Sequence, residues 1–268
     1  MKEKQFGFRG AKINYKIVGN GMPVVLIHGF SEDSTVWENQ IGYLKNEYRL
    51  IIPDLAGSGK SGLIDTDVVG LEDHAECIHE MLQIEKIDRC IMIGHSMGGY
   101  ITLAFAEKHP GSLIAFGLFH SSAYADDAAK VETRKKAIEF IHANGVLPFL
   151  KTSIPGLFNN DNPGFQQQWP DNLIQKGTNF SARALVQYYE AMIARPDRTE
   201  ILKKSSVPVL LIMGQHDKAV PFKQSLEQSH MPGHVYVHIL RESAHMGMLE
   251  ESGKANEILA NFLRSQKA

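Results

Sequence analysis

The pentad Gly94-His95-Ser96-Met97-Gly98 sets a serine between two glycines, directly after the apolar run Ile91 to Ile93 and just before helix-compatible sequence from Tyr100 to Lys108. A strand that turns sharply into a helix at a serine strains the backbone there. It lifts the hydroxyl above the carboxyl end of the strand. Glycines on either side leave room for strand and helix to approach each other. The helix N-terminus adds unpaired N–H groups beside the hydroxyl, where a developing oxyanion can be held. The chemistry implied is nucleophilic attack on a carbonyl. A serine hydroxyl is a poor nucleophile at neutral pH and needs an adjacent base. Imidazole titrates near working pH, and a carboxylate must hold it in one tautomer.

The elements that must position such a serine follow from the hydrophobic pattern. Residues 5–8 and 11–18 read as a hairpin with one wet face, because Ile13, Tyr15 and Ile17 alternate with polar residues. Val24 to Ile27, Leu50 to Ile52, Ile91 to Ile93, Leu113 to Phe119 and Val207 to Met213 are continuous apolar runs. Strands buried on both faces of a parallel sheet have that appearance. Val235 to Leu240 supplies a final strand. Helical stretches fall at Glu32 to Asn46, Leu71 to Ile84 and Gly253 to Arg264. At 268 residues, 43% hydrophobic and 22% charged, the chain has the composition of an ordinary soluble globular protein with a sizeable core.

Between Ser122 and Ser206 the strand-helix rhythm stops. Helical stretches at Ala128–Ala143 and Ala182–Ala194 alternate with loops carrying Pro148, Pro155, Pro163 and Pro170. The insertion leaves from the carboxyl end of a strand, where ligands sit in open α/β sheets. It reads as a helical lid, so residues 1–121 and 207–268 form the core and residues 122–206 the cap. Phe149, Trp169 and Tyr188 are its candidate substrate contacts.

Several other chemistries are excluded. Asp54 to Ser61 is glycine-rich, but Asp54 stands where a phosphate loop needs its first glycine. His74 and His79 are five apart and do not share a helical face as zinc ligands would, so they are read as solvated or capping residues. No other set of histidines and acids has ligand spacing, and neither a metal nor a cofactor is expected. A net charge of −2 from 28 basic and 30 acidic residues, with no basic block, argues against nucleic acid. No apolar run is long enough to span a membrane, and the N-terminus lacks an apolar signal region. Cys77 and Cys90 read as buried thiols rather than a disulfide, so a reducing cytoplasm is the expected location.

With these parts assembled, the sequence resembles the α/β-hydrolase superfamily over nearly its full length, in particular its lid-bearing serine esterases. His28-Gly29-Phe30, the serine pentad, Gly214-Gln215-His216-Asp217 before Val220-Pro221, and Ser243-Ala244-His245 carry the match. In that fold the chain order is serine, acid, histidine. Ser96, Asp217 and His245 obey it, each just past an apolar strand, so all three converge on one rim of the sheet. His120 and His216 also follow strands and are weaker candidates for the base; Asp126 and Asp127 are the fallback acids. The resemblance assigns the oxyanion hole to the backbone N–H groups of Phe30 and Met97, with His28 and His95 shaping the adjoining turns; His28 is also a candidate substrate contact.

The expected function is hydrolysis of a small-molecule carboxylic ester with a small or medium acyl group, through an acyl-enzyme. The same triad also admits C–C bond hydrolysis, perhydrolysis or acyl transfer. A third reading, of another class, is a ligand receptor on this fold with slow turnover. No oligomeric state is assigned.

Overall fold

In the computed structural model, which describes residues 1–267, the uninterrupted apolar runs become the inner strands of one eight-stranded sheet. The chain enters through a hairpin, β1 (Lys2–Phe8) and β2 (Ala11–Val18). It continues through β3 (Met22–Ile27), α1 (Glu38–Leu44), β4 (Tyr48–Pro53), α2 (Leu71–Ile84), β5 (Cys90–His95), α3 (Met97–Lys108) and β6 (Leu113–Phe119). After an insertion come β7 (Val209–Gly214) and β8 (Val235–Leu240). The spatial order is β1-β2-β4-β3-β5-β6-β7-β8. Only the pairings of β2 with β1 and β4 are antiparallel; from β4 to β8 every pair is parallel.

Every residue of β5 and β7 is buried, as expected of strands covered on both faces. In β2, Ala11, Ile13, Tyr15 and Ile17 are buried while Lys12 points outward, giving the one-sided alternation of an outer strand. Each apolar side chain taken fully out of water stabilises the fold by roughly 1.5–3 kcal/mol. The central strands therefore anchor the rim that carries the functional loops.

Between β6 and β7 lie α4 (Ala128–Asn144), α5 (Val146–Ser153), α6 (Gln168–Gly177), α7 (Ala182–Ala194) and α8 (Thr199–Lys203), with no strand among the described residues. Asp127 caps α4 by accepting from Lys130 N at 2.7 Å, and Gly145 at φ +83° ends it. Ser181 caps α7 through Ala184 N at 3.1 Å. Pro148 and Pro170, expected in loops, lie inside α5 and α6. Both occupy the third helical position. The N–H groups of a first turn have no intrahelical acceptor, so proline costs no hydrogen bond there. The closing elements are α9 (Phe222–Gln228), α10 (Gly247–Glu250) and α11 (Ser252–Ser265).

Two further readings are corrected. The helix expected from Glu32 is delayed to a 3-10 turn at Ser34–Trp37 followed by α1. Glu32 and Asp33 instead use their carboxylates on neighbouring N–H groups, Gly29 N at 2.7 Å and Thr35 N at 2.8 Å. His74 is neither solvated nor a cap: it is buried against Tyr188, with ring centroids 5.5 Å apart. The glycine-rich turn after β4 wraps a carboxylate. Asp54 accepts from Ser34 N, Lys60 N and Asn14 Nδ2 at 3.0, 3.0 and 3.1 Å. No helix among the described residues is long and apolar enough to cross a membrane.

Candidate active site

β5 runs into α3 through a single residue, Ser96, at φ +50° and ψ −115°. That conformation is rare for any residue with a Cβ and persists only where surrounding bonds enforce it. Ser96 N donates to Phe119 O at 2.9 Å, and the Ser121 hydroxyl donates to Ser96 O at 2.7 Å. A Cβ at position 94 would lie 2.1 Å from Gly98 O, and one at position 98 would lie 2.5 Å from Ile27 O. The two glycines are thus demanded by the crossing of strand and helix. Ser96 is half-buried, and its hydroxyl faces a cavity of about 170 Å³ that His245 also lines.

His245 and Asp217 sit at the ends of neighbouring strands. Nδ1 of His245 donates to Asp217 Oδ2 at 2.7 Å. Asp217 Oδ1 accepts from Ala219 N and Val220 N at 2.8 and 2.9 Å. Burial by itself would raise the Asp217 carboxyl, but His245 and His120 outweigh it and hold it well below the usual carboxylate range. With Nδ1 committed to an anion, the free lone pair of the ring is on Nε2, as a base requires. Ser96 Oγ and Nε2 make no direct hydrogen bond among the described residues; in unliganded sites such contacts are often long.

The loop carrying His245 is fastened from three sides. Glu250 Oε2 accepts from Ala244 N and Met246 N, both at 3.0 Å, and its Oε1 accepts from Asn159 N at 2.7 Å. His245 N donates to Leu157 O at 2.9 Å, which ties the loop to the inserted helices. His245 O accepts from His95 Nε2 at 2.9 Å.

His95 is therefore more than a turn residue. Its Nδ1 lies 3.0 Å from Glu32 Oε2, an oxygen that also accepts from Gly29 N at 2.7 Å. Both ring nitrogens face acceptors, and the ring can donate to both only when protonated beside the Glu32 carboxylate. Burial opposes charge on either side chain, but each outweighs that penalty for the other: His95 is raised and Glu32 lowered. This fully buried pair joins the Gly29 loop, the serine turn and the His245 loop. Beside it, the N–H groups of Phe30 and Met97 have no protein acceptor among the described residues. Phe30 lines the serine's cavity, and Met97 directly follows the serine in the chain.

The other expected contacts do not line the cavity. His28 is fully buried: its Nδ1 donates to Gly29 O at 2.8 Å, and its Nε2 accepts from Leu55 N at 3.0 Å. Tyr188 points into the core, donating to Ala56 O at 2.8 Å and meeting Ser58 Oγ at 2.7 Å. Phe149 stands behind the cavity, edge-on to Phe30 and Tyr189 at 6.1 and 6.0 Å. Trp169 stacks on Phe158 at 6.2 Å, away from the serine. The aromatic lining comes instead from Phe30, Tyr100 and Tyr189. His216 is exposed. Asp126 is occupied by Arg134 and Arg195, and Asp127 by the α4 cap, so neither fallback acid serves His245.

His120 was read as an unlikely base and turns out to be a second imidazole on the acid. Also at positive φ (+49°), it places Nδ1 3.4 Å from Asp217 Oδ2. Neither of its ring nitrogens forms a hydrogen bond, and burial pushes it down to about 4. His120, Asp217 and His245 thus bring three ligand-type atoms within 4.8 Å of one another, a cluster that sequence spacing did not reveal. Asp217 already meets an N–H donor or an imidazole at both oxygens, which fits a carboxylate orienting a base better than a metal ligand.

Comparison with known proteins agrees with the fold. The family model described as alpha/beta hydrolase fold matches residues 22–252. The 3-oxoadipate enol-lactonase 1 of Acinetobacter baylyi is 25% identical over 267 residues, covering 96% of this chain and 95% of its own. A thermophilic esterase from Thermogutta terrifontis shares the fold with a TM-score of 0.92 and 24% identity over 100% of both chains. The enol-lactonase from Burkholderia xenovorans LB400 does so at 0.89 and 20%, over 97% of this chain and 100% of that one.

Proposed function

The chain belongs to the alpha/beta hydrolase fold family, and from that footing we propose that it is a serine hydrolase acting on carboxylic esters with a small acyl group. The observation that carries this reading is the 2.7 Å contact of His245 with an ionised Asp217 beside a strained, cavity-facing Ser96. Ser96 Oγ attacks the ester carbonyl while His245 Nε2 takes its proton. The carbonyl oxygen becomes an oxyanion held by the Phe30 and Met97 N–H groups, each worth roughly 3 kcal/mol by analogy with removed donors. Collapse expels the alcohol, which leaves with the proton from His245. Water then gives a proton to the same imidazole, attacks the acyl-serine and releases the acid.

The helices from α4 to α8 act as a cap over this chemistry. A cavity of about 170 Å³ holds only a few water-sized groups, so short acyl chains fit best. Cys77 and Cys90 are buried thiols, both pushed up to about 12 by burial, which fits a reducing cytoplasm. Hydrolysis of a p-nitrophenyl ester series tests the reading: acetate to butyrate should be cleaved faster than octanoate, and Ser96→Ala should abolish turnover. Undiminished turnover in Ser96→Ala would overturn it.

A further inference from the structure

The cavity wall supplied by the inserted helices is cationic. Arg134 on α4 is buried and donates Nε to Asp126 Oδ2 at 2.6 Å and Nη2 to Oδ1 at 3.4 Å. Arg195 reaches the same carboxylate, Nη2 to Oδ1, at 2.9 Å. A single anion is therefore shared between two guanidinium groups. Lys130, four residues before Arg134 on the same helical face, lines the cavity with Arg134, Ser96 and His245. It donates Nζ to Ala219 O at 2.7 Å, leaving two of its N–H donors.

The carboxylates nearby are already engaged. Glu32 serves His95, Asp217 serves His245, and Asp127 caps α4. Burial and then Arg134 both lower the affinity of Lys130 for its proton, against the pull of Asp126 and Asp217. Two cationic side chains thus stand together in one partly buried wall. Arg134 is kept in place by Asp126 and by the Tyr189 ring, 5.7 Å from its guanidinium carbon, so its remaining face is pre-oriented. Past Lys130 and Tyr100 the cavity meets a second hollow of about 540 Å³, whose rim carries Lys218 and Lys223 beside Asp127 and Glu227.

We propose that the ester hydrolysed here carries a second, ionised carboxylate, bound by Lys130 and Arg134 while Ser96 attacks the ester carbonyl. The substrate class is the monoesters or lactones of small dicarboxylic acids. The inference rests on the serine-hydrolase reading and names the substrate of that same site. A carboxylate entering this partly buried wall adds a second anion beside Lys130 and Arg134, and it accepts charge-assisted hydrogen bonds from them.

Monomethyl glutarate, which is singly ionised at neutral pH, and dimethyl glutarate separate charge from shape. The wild type should favour the monoester by about tenfold in kcat/KM at low salt, and Lys130→Met should shrink that ratio to below about threefold. A wild-type ratio at or below one overturns the proposal without needing any variant, and so does a ratio unmoved by Lys130→Met. In a second arm, glutarate is titrated calorimetrically into Ser96→Ala and into Ser96→Ala/Lys130→Met. Binding that weakens about tenfold with the lysine gone supports the site; absent or lysine-independent binding overturns it. If neither ester is turned over, the hydrolase reading falls, and the titration decides the anion site alone.

Discussion

The two walls of the catalytic cavity are built in different ways. The wall proposed to do the bond chemistry consists of loops at the ends of β5, β7 and β8, and its parts are locked together by buried hydrogen bonds. His245 is held by Asp217, Glu250, His95 and Leu157, and Ser96 by Phe119 and Ser121. The opposite wall is made of helix faces from the insertion, where Lys130, Arg134 and Tyr189 present charge and aromatic surface. The first wall has one workable arrangement, because reacting atoms must be placed within a fraction of an ångström. The second needs only complementary shape and charge. On the proposed function, topology fixes the reaction and the inserted helices choose the substrate.

Breaking the first wall should be costly for every ester. His245→Ala is expected to lower kcat by 10⁴-fold or more for charged and neutral esters alike, since Ser96 then has no base. Steady-state rates on both glutarate esters check this; a loss confined to one of them would erase the distinction between the walls. Asp217→Asn should cost about 10³- to 10⁴-fold, by favouring the wrong imidazole tautomer while the fold stays intact. Here the control is an unchanged circular dichroism spectrum and melting temperature.

A smaller effect is expected at the supports. Glu250→Gln keeps one acceptor but replaces the other with an amine that cannot serve Asn159 N or the pair Ala244 N and Met246 N. Leaving such buried donors unpaired costs about 1–3 kcal/mol, measurable as a shift in the urea midpoint. Activity should fall with it, because those bonds set the His245 loop. Unchanged activity despite lower stability would separate this support from the reacting wall.

The mildest perturbation is pH. Burial holds His74 at about 4 instead of 6.5, so between those values the unfolded chain binds a proton that the folded chain refuses. The associated stability is complete above pH 6.5 and is lost as the pH falls towards 4, by about 3 kcal/mol at most. Denaturation of wild type and His74→Gln at pH 7 and pH 4.5 should show a flatter decline in the variant. Parallel declines would mean that His74 does not titrate differently on folding.

The same contrast explains what could be read in advance. The serine turn is local: five residues, a strand before and a helix after, so its geometry is written in adjacent positions. Asp217 and His245 are legible because each follows an apolar strand, and parallel order brings strand ends together. Side chains on the inserted helices offered no such guide. Successive residues of a helix point about 100° apart, so choosing Tyr188 in place of Tyr189 swaps a core hydroxyl for a cavity wall. Trp169 went to an aromatic cluster with Phe158 and Phe165 that only tertiary packing assembles. Glu250 escaped notice because its partners are main-chain N–H groups, which carry no residue identity, and Glu32 because it meets His95 across 63 positions of chain. The tie from His95 to the carbonyl of residue 245 spans 150 positions and joins a side chain to a backbone atom.

The most direct test is covalent. Incubating the folded protein with a fluorophosphonate and mapping the adduct by mass spectrometry should find one label per chain, on the peptide containing Ser96. The label should be lost in Ser96→Ala and strongly slowed in His245→Ala. A folded wild-type protein that stays unlabelled, or that is labelled at another residue, would contradict the account.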